Sequence, residues 1–459
     1  MKETRPFSMK DKIGYTLGDL GCCCTEQFRA MYLAIFYTLV LKVNPVHVGI
    51  LMLITKLWDA INDPLIGALV DSHQNKGKGK FIPWIKFFAF PTAVLCILGF
   101  VNVSNFAYGA RLAYMFITYV VYEIMYTCVS VPFGSLSSVM TDDVNQRTDL
   151  SRFRSLGGTI FMTVIVIAGP LFLYKDNQPV PSHFLIMAAI CAVIGFICLM
   201  FTSHWCKERI ITEPVAKEKE KLNYLDVLKA ISKNKALLGV MLSSFIGIVG
   251  AGMVNGLNTY LFRDYFGNVA IMAVSGMLSV IWSLIAFIGT KFVAKKFGKK
   301  EWIMYSATFS VVVYAILFFF PLENPMLFII INGICYLGVS GFQVLVWALV
   351  NDAIDYQELQ TGKRNEGIVY SAYTFFRKLA NAVSGSMSSF ALAIAGFNVN
   401  EAVQSEAFSG RLWKTYTGLY VAGYLLAVLV LKVVYPLTKE KTAEMLQNLS
   451  DKRNAANAE

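Results

Sequence analysis

The chain is 459 residues long, 56% hydrophobic and only 15% charged, with a mean hydropathy of +0.54. A soluble domain carries about 25% charged residues, so these figures exclude a set of soluble domains, and equally a disordered, collagen-like or disulfide-stapled chain. The apolar residues fall into long runs, each able to cross a hydrocarbon layer of about 30 Å as roughly 20 helical residues.

The runs predict twelve helical spans, near 14–41, 46–71, 82–103, 109–140, 153–174, 183–205, 236–264, 268–294, 303–321, 325–351, 367–396 and 412–437. The net charge is +11, and most of the 41 Lys and Arg lie in the termini and in every second loop. Basic residues near span ends stay cytoplasmic. The alternation therefore predicts an integral plasma (bacterial inner) membrane protein with both termini cytoplasmic. Residues Met1 to Lys12 lack the basic start, apolar stretch and small-residue site of a cleaved signal peptide, so the first span is expected to remain. Nine Cys residues do not read as a metal or redox centre. Cys22, Cys23 and Cys24 are consecutive on a helix and point in different directions, and Cys96, Cys128, Cys191, Cys198 and Cys335 sit singly in apolar runs.

The longest polar stretch between spans runs from Cys206 to Lys235. It divides the chain into an N-terminal six-helix bundle (1–205), a cytoplasmic linker (206–235), a C-terminal six-helix bundle (236–437) and a cytoplasmic tail (438–459). Within the linker, Leu225, Leu228 and Ile231 are spaced for a short helix on the membrane surface. An all-α polytopic membrane protein with two six-helix bundles is the architecture of the major facilitator transporters, whose halves are repeats. A Gly at a span end followed by a Gly- and Lys-rich turn occurs in both halves, at Gly67 to Lys80 and at Gly289 to Lys300, which supports a repeat.

The sharpest signal is a set of ionisable residues placed inside the spans, where a charge costs at least about 2.5 kcal/mol. Span 2 reads Lys56-Leu-Trp-Asp59-Ala-Ile-Asn62-Asp63-Pro64, which puts Lys56, Asp59 and Asn62 or Asp63 on one stripe with the two carboxylates a turn apart. Such carboxylates repel unless one is protonated or a cation sits between them, so Asp59 and Asp63 read as a coupling-ion site, with Na⁺ as the metal where sodium is the ion. Salt bridges from these acids to Lys56 and Lys378 are expected. Span 1 carries Asp19, Glu26 and Arg29, the last two spaced to pair locally. Span 4 carries Glu123, Tyr126, Thr127 and Ser130, and span 11 carries Thr374, Arg377 and Lys378. Charges after span 4 (Asp142, Asp143, Arg147, Arg152, Arg154) and after span 10 (Asp352, Asp355, Glu358, Lys363, Arg364, Glu366) are expected in loops, as latches between the halves. Trp58, Tyr126, Trp347, Tyr370 and Tyr373 are aromatic candidates for stacking on a sugar ring.

The run Trp58 to Pro64 resembles the second-helix signature of the glycoside–pentoside–hexuronide:cation symporters, the group that contains the melibiose permease. The resemblance extends through Gly14-Tyr15, Gly18-Asp19, Lys80-Phe81-Ile82-Pro83-Trp84, Pro132-Phe133-Gly134-Ser135-Leu136, Arg147 to Arg154 and Asp352-Ala-Ile-Asp355-Tyr356. It implies cation binding by Asp59, Asp63, Asn62 and Thr127, and a linking role for Lys378 between cation and sugar sites. It places Tyr126 and Arg154 beside the sugar. The acidic residue that holds a galactosyl group in that family is Ser130 here, and another falls near Cys23. With Arg29 and Lys378 present, the pocket is less hostile to an anionic sugar such as a uronide. Glu26, Ser130 and Thr374 complete the substrate candidates.

The expected activity is therefore cation-coupled (Na⁺ or H⁺) symport of a sugar or glycoside, by alternating access. The expected partners are a small sugar, a monovalent cation and the bilayer, with no cofactor, no nucleic acid and a monomeric working unit. A cation-coupled lipid or lysolipid carrier is the competing reading. A membrane enzyme or receptor is disfavoured because no His-Glu metal pair, nucleophile elbow or phosphate loop is present.

Overall fold

The computed structural model describes residues 5–72, 79–210, 234–361 and 366–456. The chain divides into two compact units. Unit 1 is Met1–Lys217 with Asn268–Gly276 and Asn398–Val403, and unit 2 is the remainder from Glu218 onward. In the first half, α1 (Met9–Ile35) runs on through a π-helical turn at Phe36–Val40. It is followed by α2 (Pro45–Ser72), α3 (Ile82–Leu98), α4 (Tyr108–Met140), α5 (Val144–Leu173) and α6 (Pro181–Trp205). Between α5 and α6 a two-residue hairpin pairs β1 (Tyr174–Lys175) with β2 (Gln178–Pro179). Its turn residues Asp176 and Asn177 have φ of 49° and 61°, the left-handed pair that Asn and Asp tolerate in tight hairpins.

The second half begins with α7 (Lys235–Tyr260), which ends in a π-helical turn at Leu261–Tyr265. It continues through α8 (Ile271–Phe297), α9 (Lys299–Phe319), α10 (Pro325–Thr361), α11 (Glu366–Ala395) and α12 (Glu406–Val434), and closes with α13 (Lys439–Ala456). The first twelve helices occupy the places of the twelve predicted spans. Eight of them, α4 to α10 and α12, are long and apolar enough to cross a membrane among the described residues. The apolar character of α1, α2 and α11 is diluted by their interior charges, and α3 has 17 residues.

In unit 1, α1 packs on α5 and α6, and α3 packs on α4 and α6. In unit 2, α7 packs on α11 and α12, and α9 packs on α10 and α12. The same order of pairing recurs six helices later, as a repeat requires. The Gly- and Lys-rich turn of the first half falls at 73–78, outside the described residues, as do the surface helix expected at 223–232 and the loop charges Lys363 and Arg364.

Several charges expected in loops lie on helices. Asp143 accepts hydrogen bonds from the Asn145 and Gln146 N–H groups at 2.7 and 3.1 Å and so starts α5 nine residues before the predicted span. Arg147, Arg152 and Arg154 therefore stand on α5, and Asp352, Asp355 and Glu358 on α10. The final helix α13 was not anticipated; its Met445 and Leu449 are buried with Leu237, Tyr435 and Val350 in the unit 2 core.

The segment after α6 clamps one end of unit 1. The Glu208 carboxylate accepts from the backbone N–H groups of Lys80, Phe81 and Ile82 at 2.6, 2.8 and 2.7 Å, which satisfies the open N-terminus of α3. Arg209 bonds the buried Asp11 carboxylate at 3.0 Å and the Met140 carbonyl at 3.1 Å, joining the start of α1 to the end of α4. Glu208→Ala is expected to destabilise unit 1 by about 1–3 kcal/mol, since it strands three N–H donors. Lys207→Ala is expected to leave stability unchanged. The melting midpoints of the detergent-purified variants measure both.

Candidate cation and substrate site

Helix α2 has two chemically distinct sides. Ile50, Ile54, Leu57, Ile61, Leu65 and Leu69 form an exposed apolar stripe, while Thr55, Lys56, Asp59, Asn62 and Asp63 project from the opposite side by helical spacing. On that polar side, Lys56 Nζ donates to Asp59 Oδ2 at 3.1 Å. The same ammonium lies 3.5 Å from Glu123 Oε1 of α4 and 3.7 Å from Glu26 Oε1 of α1. One cation thus holds three carboxylates from three helices.

One turn along α2, Asp63 Oδ1 accepts from the Thr127 hydroxyl of α4 at 3.3 Å. Asn62 and Thr127 are buried at 4% and 3% exposure, enclosing these oxygens. Asp59 Oδ1 and Asn62 Nδ2 are enclosed with no hydrogen-bond partner among the described residues. An enclosed unsatisfied polar atom costs about 1–3 kcal/mol, so a free carboxylate lone pair here is an invitation to a ligand that is positively charged or carries a donor. Of the four residues expected at the cation site, Asp59, Asn62 and Asp63 lie within about one turn of α2 just before Pro64, and Thr127 of α4 reaches Asp63.

Arg29 departs from expectation. It does not pair with Glu26, which turns to Lys56. Its guanidinium lies 3.5 Å from the centre of the Tyr122 ring and 5.1 Å from that of Tyr119. Tyr122 in turn stacks on Tyr126 at 5.8 Å with the rings 8° from parallel. The guanidinium end fits against Gly99, where a Cβ would stand 2.7 Å from Arg29 Nη1. Arg29 is 2% exposed, so any influence on a substrate passes through the tyrosines. Ser130 is half-buried one turn beyond Tyr126 on α4.

Arg154 Nε donates to Asp19 Oδ1 at 3.0 Å, and its guanidinium sits 5.3 Å from the Phe133 ring centre. Asp19 Oδ2 also accepts from the Gly158 N–H at 2.9 Å. This close approach of α1 and α5 needs Gly157, where a Cβ would collide with the Thr16 carbonyl. In unit 2, Thr374 donates to the Tyr370 carbonyl at 2.9 Å. Lys378 is exposed and in no ion pair among the described residues. Trp347 stacks on Tyr370 and meets Tyr373 edge-on, with the Arg377 guanidinium 5.6 Å from its ring.

Three of the charges expected as latches are engaged inside their own units. Arg147 donates to the Thr141 carbonyl at 2.9 Å, Asp143 caps α5, and Asp352 is bound by Lys299 at 2.7 and 2.8 Å. Lys56, Glu123 and Asp19, which the sequence marks only as charges inside spans, take part in these contacts. Glu123 was findable, since it precedes Thr127 by four residues and so shares its face of α4. The pairing of Asp19 with Arg154 was not, because the two are far apart in sequence and no local spacing links them.

Comparison with known proteins places this geometry in a family. Over 451 residues the chain is 32% identical to the uncharacterized symporter YjmB of Bacillus subtilis, covering 97% of this chain and 96% of that one. It is 28% identical to the isoprimeverose transporter of Lactiplantibacillus pentosus, over 100% of this chain and 94% of that protein. It is 25% identical to a glucuronide carrier protein homolog of Escherichia coli, over 97% and 96%. In three dimensions it resembles a bacterial homologue of the iron transporter ferroportin with a TM-score of 0.66 at 12% identity, over 94% of this chain and all of that one. That likeness speaks for the fold. Residues 14–439 match the family described as MFS/sugar transport protein, and the chain belongs to this family of integral membrane transporters.

Proposed function

We propose that the protein is a symporter that couples uptake of a sugar or glycoside to a monovalent cation, working as a monomer by alternating access with both termini on the cytoplasmic side. The observation that carries this reading is the pair of carboxylates a turn apart on α2, Asp63 hydrogen-bonded by Thr127 and Asp59 with one enclosed oxygen unpartnered among the described residues, with the buried Asn62 between them in the chain. Asp59 and Asp63, a turn apart, repel when both are charged. In the ion-free protein Lys56 partly compensates Asp59. A Na⁺ ion or a proton at the pair removes the repulsion, and the resulting change in the neighbouring helices favours substrate. By linkage, substrate then tightens the ion to the same degree.

Tyr126 and Ser130 on α4 offer a ring face and a hydroxyl to a sugar, and Arg154 with Glu26 supplies charged hydrogen-bonding partners on the same unit. Arg29 holds Tyr122 and, through it, the Tyr126 ring. Unit 2 contributes Thr374 and Lys378 to the cycle. An acidic sugar such as a uronide is the narrower substrate reading, supported by the hydroxyl of Ser130 in place of a carboxylate and by the exposed Lys378, which is in no ion pair among the described residues. The relatives carry names of both kinds, a glucuronide carrier homolog and an isoprimeverose transporter. Uptake of a panel of uronides, pentosides and neutral hexosides into proteoliposomes decides between them. Neutral glycosides competing as well as uronides would remove the acidic-sugar reading and leave symport standing.

Asp59→Asn is expected to abolish uphill accumulation driven by an imposed Na⁺ or pH gradient while preserving downhill exchange. Undiminished accumulation contradicts the proposal. Thr127→Val removes an oxygen beside Asp63 and is expected to raise the half-saturating Na⁺ concentration about three- to tenfold, in keeping with one lost hydrogen-bonding or coordinating group. Thr127→Ser is expected to stay near wild type. A proton needs no shell of oxygens, so if H⁺ is the coupling ion, Thr127→Val leaves the pH dependence of uptake nearly unchanged, and the pair of titrations identifies the ion.

A further inference from the structure

We infer that Glu26 and Glu123 are positioning residues for ion coupling: they receive the Lys56 ammonium when a cation displaces it from Asp59. The inference rests on the proposal that Asp59 binds the coupling ion, and it adds where the displaced charge goes.

An ammonium carries three N–H donors, and Lys56 uses one of them in a hydrogen bond, to Asp59 at 3.1 Å. Glu123 Oε1 and Glu26 Oε1 stand at 3.5 and 3.7 Å, inside ion-pair range and just beyond a good hydrogen bond. A rotation of the flexible lysine stem that moves Nζ by about 0.5 Å converts either contact into a hydrogen bond. Glu123 is almost wholly buried, with a side-chain exposure of 4%.

A lone ammonium released in this interior would carry the full penalty of an unpaired buried charge. An ammonium passed from one carboxylate to two others stays paired throughout. The two glutamates therefore lower the free energy of the displaced state, and with it the concentration of cation needed to reach that state. The Arg29 guanidinium lies on the Tyr122 ring and makes no ion pair with Glu26, Asp59 or Glu123 among the described residues. Helix α4 presents Glu123 to Lys56 and, four residues on, Thr127 to Asp63, so a single face of one helix meets both the displaced lysine and the ion site.

The test is the cation dependence of sugar uptake in proteoliposomes, with Na⁺ titrated at fixed pH and pH titrated without Na⁺. Lys56→Gln removes the internal competitor and is expected to lower the half-saturating concentration of the activating ion about five- to tenfold. Glu123→Gln is expected to raise it by a similar factor, and Glu26→Gln to raise it less. The double variant Lys56→Gln with Glu123→Gln is expected to behave as Lys56→Gln alone, because the glutamate acts only through the lysine. A Glu123→Gln shift of equal size in both backgrounds reports a general field of the carboxylate and overturns the inference, as does a Lys56→Gln variant that needs more ion. If Glu123→Gln is not recovered folded, the same cycle is read with Glu26→Gln. Ion-independent uptake by the unmodified protein overturns the symport proposal and this inference together, whereas ion-dependent uptake with an additive cycle overturns the inference alone.

Discussion

The arrangement in unit 1 depends on the sharing of one lysine ammonium among three carboxylates inside a membrane. Lys56 lies within 4 Å of Glu26, Asp59 and Glu123, contributed by α1, α2 and α4. In a low-dielectric interior each of these groups is expensive alone and tolerable only in company. The contact binds three helices that the hydrophobic effect alone would leave free to slide, because lipid tails solvate apolar side chains as well as a neighbouring helix does. It also fixes the electrostatic problem of the site. Among the described residues Glu26, Asp59, Asp63 and Glu123 converge on a region whose cations are Lys56 and Arg29, which leaves negative charge in excess. On the proposed function, a cation or protons complete that balance.

The two cations are used differently, and their chemistry explains why. Arg29 presents a flat guanidinium that lies on the Tyr122 ring and against Gly99, an attachment with one good geometry. It stabilises a fixed surface, on whose far side the Tyr126 ring is stacked. Lys56 presents a compact ammonium on a flexible stem, and its three contacts differ by only a few tenths of an ångström. A charge that must stay suits arginine, and a charge that must move among equivalent partners suits lysine.

Much of this was legible in the chain before any coordinates. The helices follow from apolar runs of membrane-spanning length, and Asp59, Asn62 and Asp63 share a side of α2 because helical spacing dictates it. What hydropathy marks, however, is where the membrane ends and not where the helix ends. Helices α5 and α10 extend past their apolar runs, because a cap such as Asp143 and local hydrogen bonding decide termination. Arg147 and Arg152 therefore lie outside the predicted span and yet stand on a helix. The pairing of Glu26 with Lys56 in preference to its near neighbour Arg29 was likewise out of reach. Spacing three apart permits a local pair, but the choice is made by a tyrosine face and a glycine on other helices. The helix α13 was missed because its charged surface reads as a polar tail, and only Met445 and Leu449 betray the side that packs.

The two units share an order of helix packing and differ in where they place charge. In unit 2 the described acid–base contacts are simple pairs, Arg263 with Asp264 and Lys299 with Asp352, and the buried Lys300 donates to the Tyr435 carbonyl. Its mid-helix chemistry on α10 and α11 is the aromatic group of Trp347, Tyr370 and Tyr373 with Arg377 above it. Unit 1 instead carries an unbalanced carboxylate cluster at mid-helix. A duplicated scaffold with symmetric packing supplies two rigid halves, but identical halves would bind an ion in both or in neither. Among the described residues, carboxylates gathered from three helices around one lysine occur only on α1, α2 and α4. The fold-level likeness to other transporters at 12% identity therefore accounts for the helices, while the departure from symmetry between the units accounts for the chemistry.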